Sequence, residues 1–166
     1  MKRHKRILNI LIALFIIAAT LLSAVGCAKE YEAPNFTVLD SELRDVELYD
    51  YIGKPIVLNF WATWCYYCKV EMPDFNEAAE KYKDVAFMMV NYTDGNRETV
   101  KSASDFIRDE GYTFPVFYDT MLRAADAYGI EAFPTTYFID ARGRIVFSRE
   151  GMMDGAALEY YIEKIR

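Results

Sequence analysis

Cys65-Tyr66-Tyr67-Cys68 places two thiols two residues apart. At that spacing one sulfur can displace the other from a mixed disulfide, the central step of thiol-disulfide exchange. The only histidine is His4, near the N-terminus, so Ser-His-Asp and Cys-His nucleophilic sites are excluded from the rest of the chain. Structural zinc takes about four donors, and a cysteine pair without histidine leaves only carboxylates to complete the set; no metal is expected. The pair could instead be an inert staple, but a bridge closing so small a loop removes little chain entropy. Catalytic redox chemistry is the favoured reading, with the Cys65–Cys68 disulfide itself as the redox group and no separate cofactor.

The elements around the pair must hold it at a helix start. Ile56-Val57-Leu58-Asn59-Phe60-Trp61 is a continuous apolar run after Gly53-Lys54-Pro55 and predicts a strand buried on both faces. Beyond the pair, Phe75, Ala78, Ala79 and Tyr82 recur at helical spacing, and Pro73 should kink the early part of that helix. A sulfur at the helix N-terminus meets unpaired amides and the positive end of the macrodipole, both favouring thiolate. Cys65 is therefore the expected attacking nucleophile. Cys68, one turn further in, would resolve the mixed disulfide. Trp61 and Trp64 are expected to flank the site as packing residues, with Trp64 the one placed to meet substrate, and Lys69 to be solvated.

Alternation of strands and helices continues along the chain. Phe36 to Leu39 and Val46 to Leu48 suggest an N-terminal hairpin, and Val85 to Val90 a second buried strand. Thr93-Asp94-Gly95-Asn96 should cap a helix from about Arg97 to Glu110, stopped by Gly111. Phe114 to Tyr118 reads as a short strand, and Met121 to Tyr128 as a short helix. Thr135 to Ile139 and Arg144 to Ser148 form a hairpin, and Asp154 caps a last helix with Leu158, Tyr161, Ile162 and Ile165 on one face. The pattern indicates an α/β sandwich around a mixed sheet.

The leader bears on compartment. Met1-Lys2-Arg3-His4-Lys5-Arg6 precedes the apolar run Ile7 to Val25, in which only Asn9, Thr20 and Ser23 are polar. This is a signal peptide or membrane anchor over residues 1–27, with a short tether at 28–32 and one domain at 33–166. The basic flank puts the N-terminus inside and the domain outside. Cys27 is the odd cysteine, and Ala24-Val25-Gly26-Cys27 resembles a bacterial lipobox, although Ala24 stands where Leu is usual; the alternative is a plain apolar residue closing a transmembrane helix. Setting aside the leader's four Lys/Arg leaves 15 Lys+Arg against 25 Asp+Glu, a net charge of −10. Nucleic acid is not an expected partner of so acidic a domain.

Trp61-Ala62-Thr63-Trp64-Cys65-Tyr66-Tyr67-Cys68, then Pro73, then Ala132-Phe133-Pro134-Thr135-Thr136 resemble the thioredoxin superfamily and, within it, the membrane-anchored TlpA/ResA-like proteins. The resemblance implies a three-layer thioredoxin-like sandwich with an N-terminal β-hairpin and a central helix-strand insertion over Asp94 to Tyr118. It implies a cis peptide at Phe133-Pro134 beside the disulfide, with the Phe133 backbone free to pair with an extended substrate. Asn59 stands where thioredoxin has a buried Asp. In the TlpA/ResA-like group an acid three residues after the second Cys is implicated instead, which is Glu71 here, poised to take the Cys68 proton if burial raises its pKa; the bland alternative is an exposed first-turn Glu. Tyr66 and Tyr67 depart from the family's usual Pro before the second Cys, and with Trp64 they line the expected substrate face.

The function expected on these grounds is an extracytoplasmic, membrane-tethered thiol-disulfide oxidoreductase that reduces exported proteins. Apocytochrome c and methionine sulfoxide reductase are the family's precedents, with a membrane thiol-relay protein as electron donor. An oxidase or isomerase of the same fold is the near alternative, and a redox-inactive peptide-binding module the distant one. A peroxidase is disfavoured because Thr63 lies two residues before Cys65, whereas the peroxidatic pattern places Thr three before.

Overall fold

The computed structural model describes residues 33–166; the leader, Cys27 and the tether at 28–32 lie outside the described residues. Seven strands make one mixed sheet in the order β2-β1-β5-β4-β3-β6-β7. They are β1 (Thr37–Leu39), β2 (Asp45–Glu47), β3 (Ile56–Trp61), β4 (Ala86–Asn91), β5 (Val116–Tyr118), β6 (Thr135–Ile139) and β7 (Ile145–Glu150). β3, β4 and β5 run parallel, while β6 pairs antiparallel with β3, and β1 antiparallel with β5. The helices are α1 (Tyr66–Lys81), α2 (Val100–Glu110), α3 (Arg123–Ala127) and α4 (Gly155–Ile165).

Every residue of β3 is buried, and its side chains alternate between two cores. Val57 and Trp61 join Phe75, Ala78, Ala103, Leu158 and Ile162 beneath α1, α2 and α4. Ile56, Leu58 and Phe60 join Phe36, Leu48, Ala124 and Tyr128 on the other face, under α3 and the N-terminal segment. The thioredoxin-like sandwich with helices on both faces is thus observed, and the run of consecutive apolar residues in β3 is its cause. Val38 faces Val46 across the N-terminal hairpin, and β5 supplies the edge to which β1 pairs.

Local chemistry moved several boundaries. The first hairpin ends at Glu47 rather than Leu48, because the Asp50 carboxylate accepts the Glu47 N–H and the chain turns into a 3-10 helix, Leu48–Tyr51. α2 begins at Val100, not Arg97. Asp94 does cap, but its Oδ1 accepts the N–H groups of Asn96, Arg97 and Glu98 and closes a separate turn, leaving Thr99 to cap α2 through Ser102. Gly111 ends α2 in the left-handed region, as expected. α3 is shorter than Met121 to Tyr128, since Leu122 takes φ +55° and Asp119 accepts the Ala125 N–H. α1 runs through Pro73 as one helix.

Candidate active site

The buried strand β3 ends at Trp61, and a four-residue turn delivers Cys65 as the N-cap of α1. Cys65 and Cys68 form a disulfide with Cα atoms 5.3 Å apart. Cys65 keeps 7% exposure and Cys68 none. The Cys65 sulfur accepts the Cys68 backbone N–H at 3.1 Å. In the reduced protein the same amide, with the helix dipole behind it, would favour negative charge on Cys65.

Glu71 lies one turn beyond Cys68 and is buried, not an exposed first-turn acid. Its Oε1 accepts from Asn59 Nδ2 at 2.9 Å and its Oε2 from the Met153 N–H at 3.1 Å. Burial pushes its pKa up from the usual 4.5 to about 7, while those two hydrogen bonds and the charge of Arg149 hold it down and Asp74 adds to the rise. A carboxyl half-ionised at neutral pH can both accept and return a proton. Burial thus supplies the condition under which Glu71 could serve Cys68.

The peptide Phe133–Pro134 is cis, and Pro134 leads directly into β6. Phe133 contacts Trp64 edge-on at 5.4 Å and Tyr92 at 5.2 Å, building an aromatic wall beside the disulfide turn. Tyr66 and Tyr67, at 70% and 59% exposure, present their rings to solvent in the first turn of α1. Trp61 is fully buried, and Lys69 is exposed as expected. Trp64, Phe133, Pro134 and the two tyrosines thus cluster at the end of the sheet that carries Cys65. Among the described residues no group of three His, Cys, Asp or Glu is placed to hold a metal ion.

Sequence reasoning missed the segment that braces this turn. Glu98 is fully buried; its Oε2 accepts both the Thr63 N–H at 2.6 Å and the Thr63 hydroxyl at 2.7 Å, and its Oε1 accepts from Ser102. The neighbouring Arg97 guanidinium lies 3.8 Å from the Trp64 ring centroid. The two residues just before Cys65 are therefore gripped from the loop that leads into α2. A lone Glu in a polar loop carries no signal of this at the sequence level. Thr136, bonded to Asn59 Nδ2 at 2.9 Å, was missed because its meeting with Asn59 depends on the register of β3 against β6.

The AhpC/TSA family model matches residues 30–148. The thiol-disulfide oxidoreductase ResA of Bacillus anthracis is 35% identical over 173 residues, covering 99% of each chain. Among solved structures, StoA from Bacillus subtilis has a TM-score of 0.68 at 25% identity, covering 80% of this chain and 98% of its own. The pneumococcal exposed lipoprotein thioredoxin from Streptococcus pneumoniae has a TM-score of 0.70 at 26% identity, covering 79% and 99%. A cysteine pair at the head of α1, on a thioredoxin-like sheet and with relatives that span the full chain, identifies a thiol-disulfide oxidoreductase of the AhpC/TSA family, ResA-like in its sequence, and it is to that family that this chain belongs.

Proposed function

We propose that the protein is an extracytoplasmic, membrane-tethered reductase of disulfides in exported proteins. The observation that carries the exchange step is the buried Glu71 within a turn of Cys68, a group able to take up and return the proton of the resolving thiol. The reducing direction is the one toward which the TlpA/ResA resemblance leans, and the potential of the pair decides it. Cys65 thiolate attacks a substrate disulfide and forms a mixed disulfide. Cys68 then loses its proton to Glu71 and attacks the Cys65 sulfur, so the Cys65–Cys68 bond forms and the reduced substrate leaves. The aromatic wall of Trp64 and Phe133, with Tyr66 and Tyr67, supplies the apolar face for an extended substrate segment, and the Phe133 backbone its pairing edge.

Tethering is supported by the basic and apolar leader and by Cys27, which lie outside the described residues, and by a relative described as an exposed lipoprotein. Among the described residues no helix is long and apolar enough to cross a membrane, so the leader is the part that would hold the domain at the surface. Because that compartment oxidises thiols, electrons must be relayed from inside by a membrane thiol-carrying protein. Apocytochrome c and exported methionine sulfoxide reductase are the proposed substrate kinds.

Two measurements test the reading. A Cys68→Ser variant should accumulate mixed disulfides on Cys65 with exported proteins; capture of none would favour a redox-inactive binding module. The intact pair should equilibrate near thioredoxin's potential of about −270 mV, and a value near about −120 mV would make the protein an oxidase. The AhpC/TSA match also admits a peroxidase, but Ala62, three residues before Cys65, lacks a hydroxyl, and the Thr63 hydroxyl is committed to Glu98. Peroxide consumption stoichiometric with dithiol oxidation would be needed to support that alternative.

A further inference from the structure

Asn59 and Thr136 take no part in the electron transfer described above, yet both are buried, and Asn59 bonds to Glu71 on one side and to Thr136 on the other. They face one another across the β3–β6 pairing, so the sheet register fixes their approach. Asn59 Nδ2 donates to both Glu71 Oε1 and Thr136 Oγ1, each at 2.9 Å. The other end of the amide, Oδ1, is buried without a hydrogen-bond partner among the described residues. An acceptor left bare in the interior costs free energy. It becomes intelligible if the site alternates between two hydrogen-bonding states.

Glu71 supplies the two states. An ionised carboxylate only accepts and needs the Asn59 NH2 group, as seen here. A protonated carboxyl donates and needs an acceptor, which a half-turn of the Asn59 amide would provide through Oδ1. The Thr136 hydroxyl both donates and accepts, so it can hold the amide in either orientation. The other groups facing Glu71 are the Met153 N–H ahead of α4, the charge of Arg149 on β7 and that of Asp74 on α1.

We propose that Asn59, anchored by Thr136, is a positioning residue that sets the proton affinity of Glu71 by donating to the ionised carboxylate and turning to accept from the protonated one. The inference rests on the reading of Glu71 as acceptor of the Cys68 proton. During resolution the Cys68 proton passes to Glu71, the Cys65–substrate bond breaks with its electron pair leaving on the substrate sulfur, and Asn59 neither gains nor loses a proton.

The test is an infrared titration of the full chain in detergent, following the carboxyl C=O stretch that disappears in Glu71→Gln. Asn59→Leu removes the charge-assisted bond to the ionised form, the stronger of the two, so Glu71 should hold its proton about tenfold more tightly. The C=O band of the protonated form should also move, because its O–H has lost an acceptor. Thr136→Val should shift the titration in the same direction by less, and Thr136→Ser should restore native behaviour. An Asn59→Leu protein that is merely less stable, with titration and band unmoved, overturns the proposal. If Asn59→Leu does not fold, the Thr136 pair decides, and identical titrations for Val and Ser overturn it. The underlying reading fails on a different observation, namely Cys68 alkylation whose pH profile is unchanged in Glu71→Gln.

Discussion

At the scale of single residues, Glu71 sets a conflict between stability and chemistry. Its carboxyl holds a proton more tightly in the folded protein than in the unfolded chain, with a pKa raised from 4.5 to about 7. The folded state therefore binds more protons than the unfolded state between those values, and stability falls as pH rises through them. Below pH 4.5 both states are protonated and nothing is lost; above about 7 the full cost of a buried carboxylate is present. Glu71→Gln removes the ionisation. In urea unfolding of the oxidised protein, the stability of Glu71→Gln relative to the native protein should rise by about 3 kcal/mol between pH 4 and pH 8. A flat difference would mean that Glu71 titrates in the folded protein as it does in the unfolded chain. The resemblance to the TlpA/ResA-like group offered Glu71, but whether it was buried depended on where Met153 and Asn59 came to lie, and neither is near it in sequence.

At the scale of elements, the elements most legible in the sequence were those whose periodicity is their cause. β3 and β6 were placed to the residue because an unbroken apolar run and a hairpin signal each mark a buried strand. The start of α2 was not, since Asp94 and Thr99 both carry capping chemistry and only the fold decides which one begins the helix. That choice matters for the site, because the turn closed by Asp94 presents Glu98 to Thr63 and Arg97 to Trp64. The Thr63 N–H would be left without its acceptor in Glu98→Ala, and the turn before Cys65 would loosen. We expect Glu98→Ala to lose about 1–3 kcal/mol of stability and to alter the pH dependence of Cys65 alkylation. Glu98→Gln retains an acceptor for that amide and should restore the alkylation profile. Loss of stability in Glu98→Ala with an unaltered Cys65 profile would show a bracing role for the fold alone.

At the scale of the whole molecule, the sandwich places the disulfide at one end of the sheet in a chain with a net charge of −10 beyond its leader. The long-range field of such a domain attracts basic partners and repels acidic ones before any contact forms. Near the site the field is mixed, for Lys69 is exposed on the first turn of α1 and the Arg97 guanidinium is stacked on Trp64. Contacts between apolar rings and a substrate segment are insensitive to salt, whereas the approach of a charged partner is not. Two disulfide peptides of equal length, one basic and one acidic, should therefore be reduced at different rates at low ionic strength, the basic one faster. The difference should shrink toward nothing at about 1 M salt, where the screening length is only about 3 Å. If the acidic peptide reacts faster at low salt, the local cations on α1 and beside Trp64, and not the net charge of the domain, govern encounter with substrate.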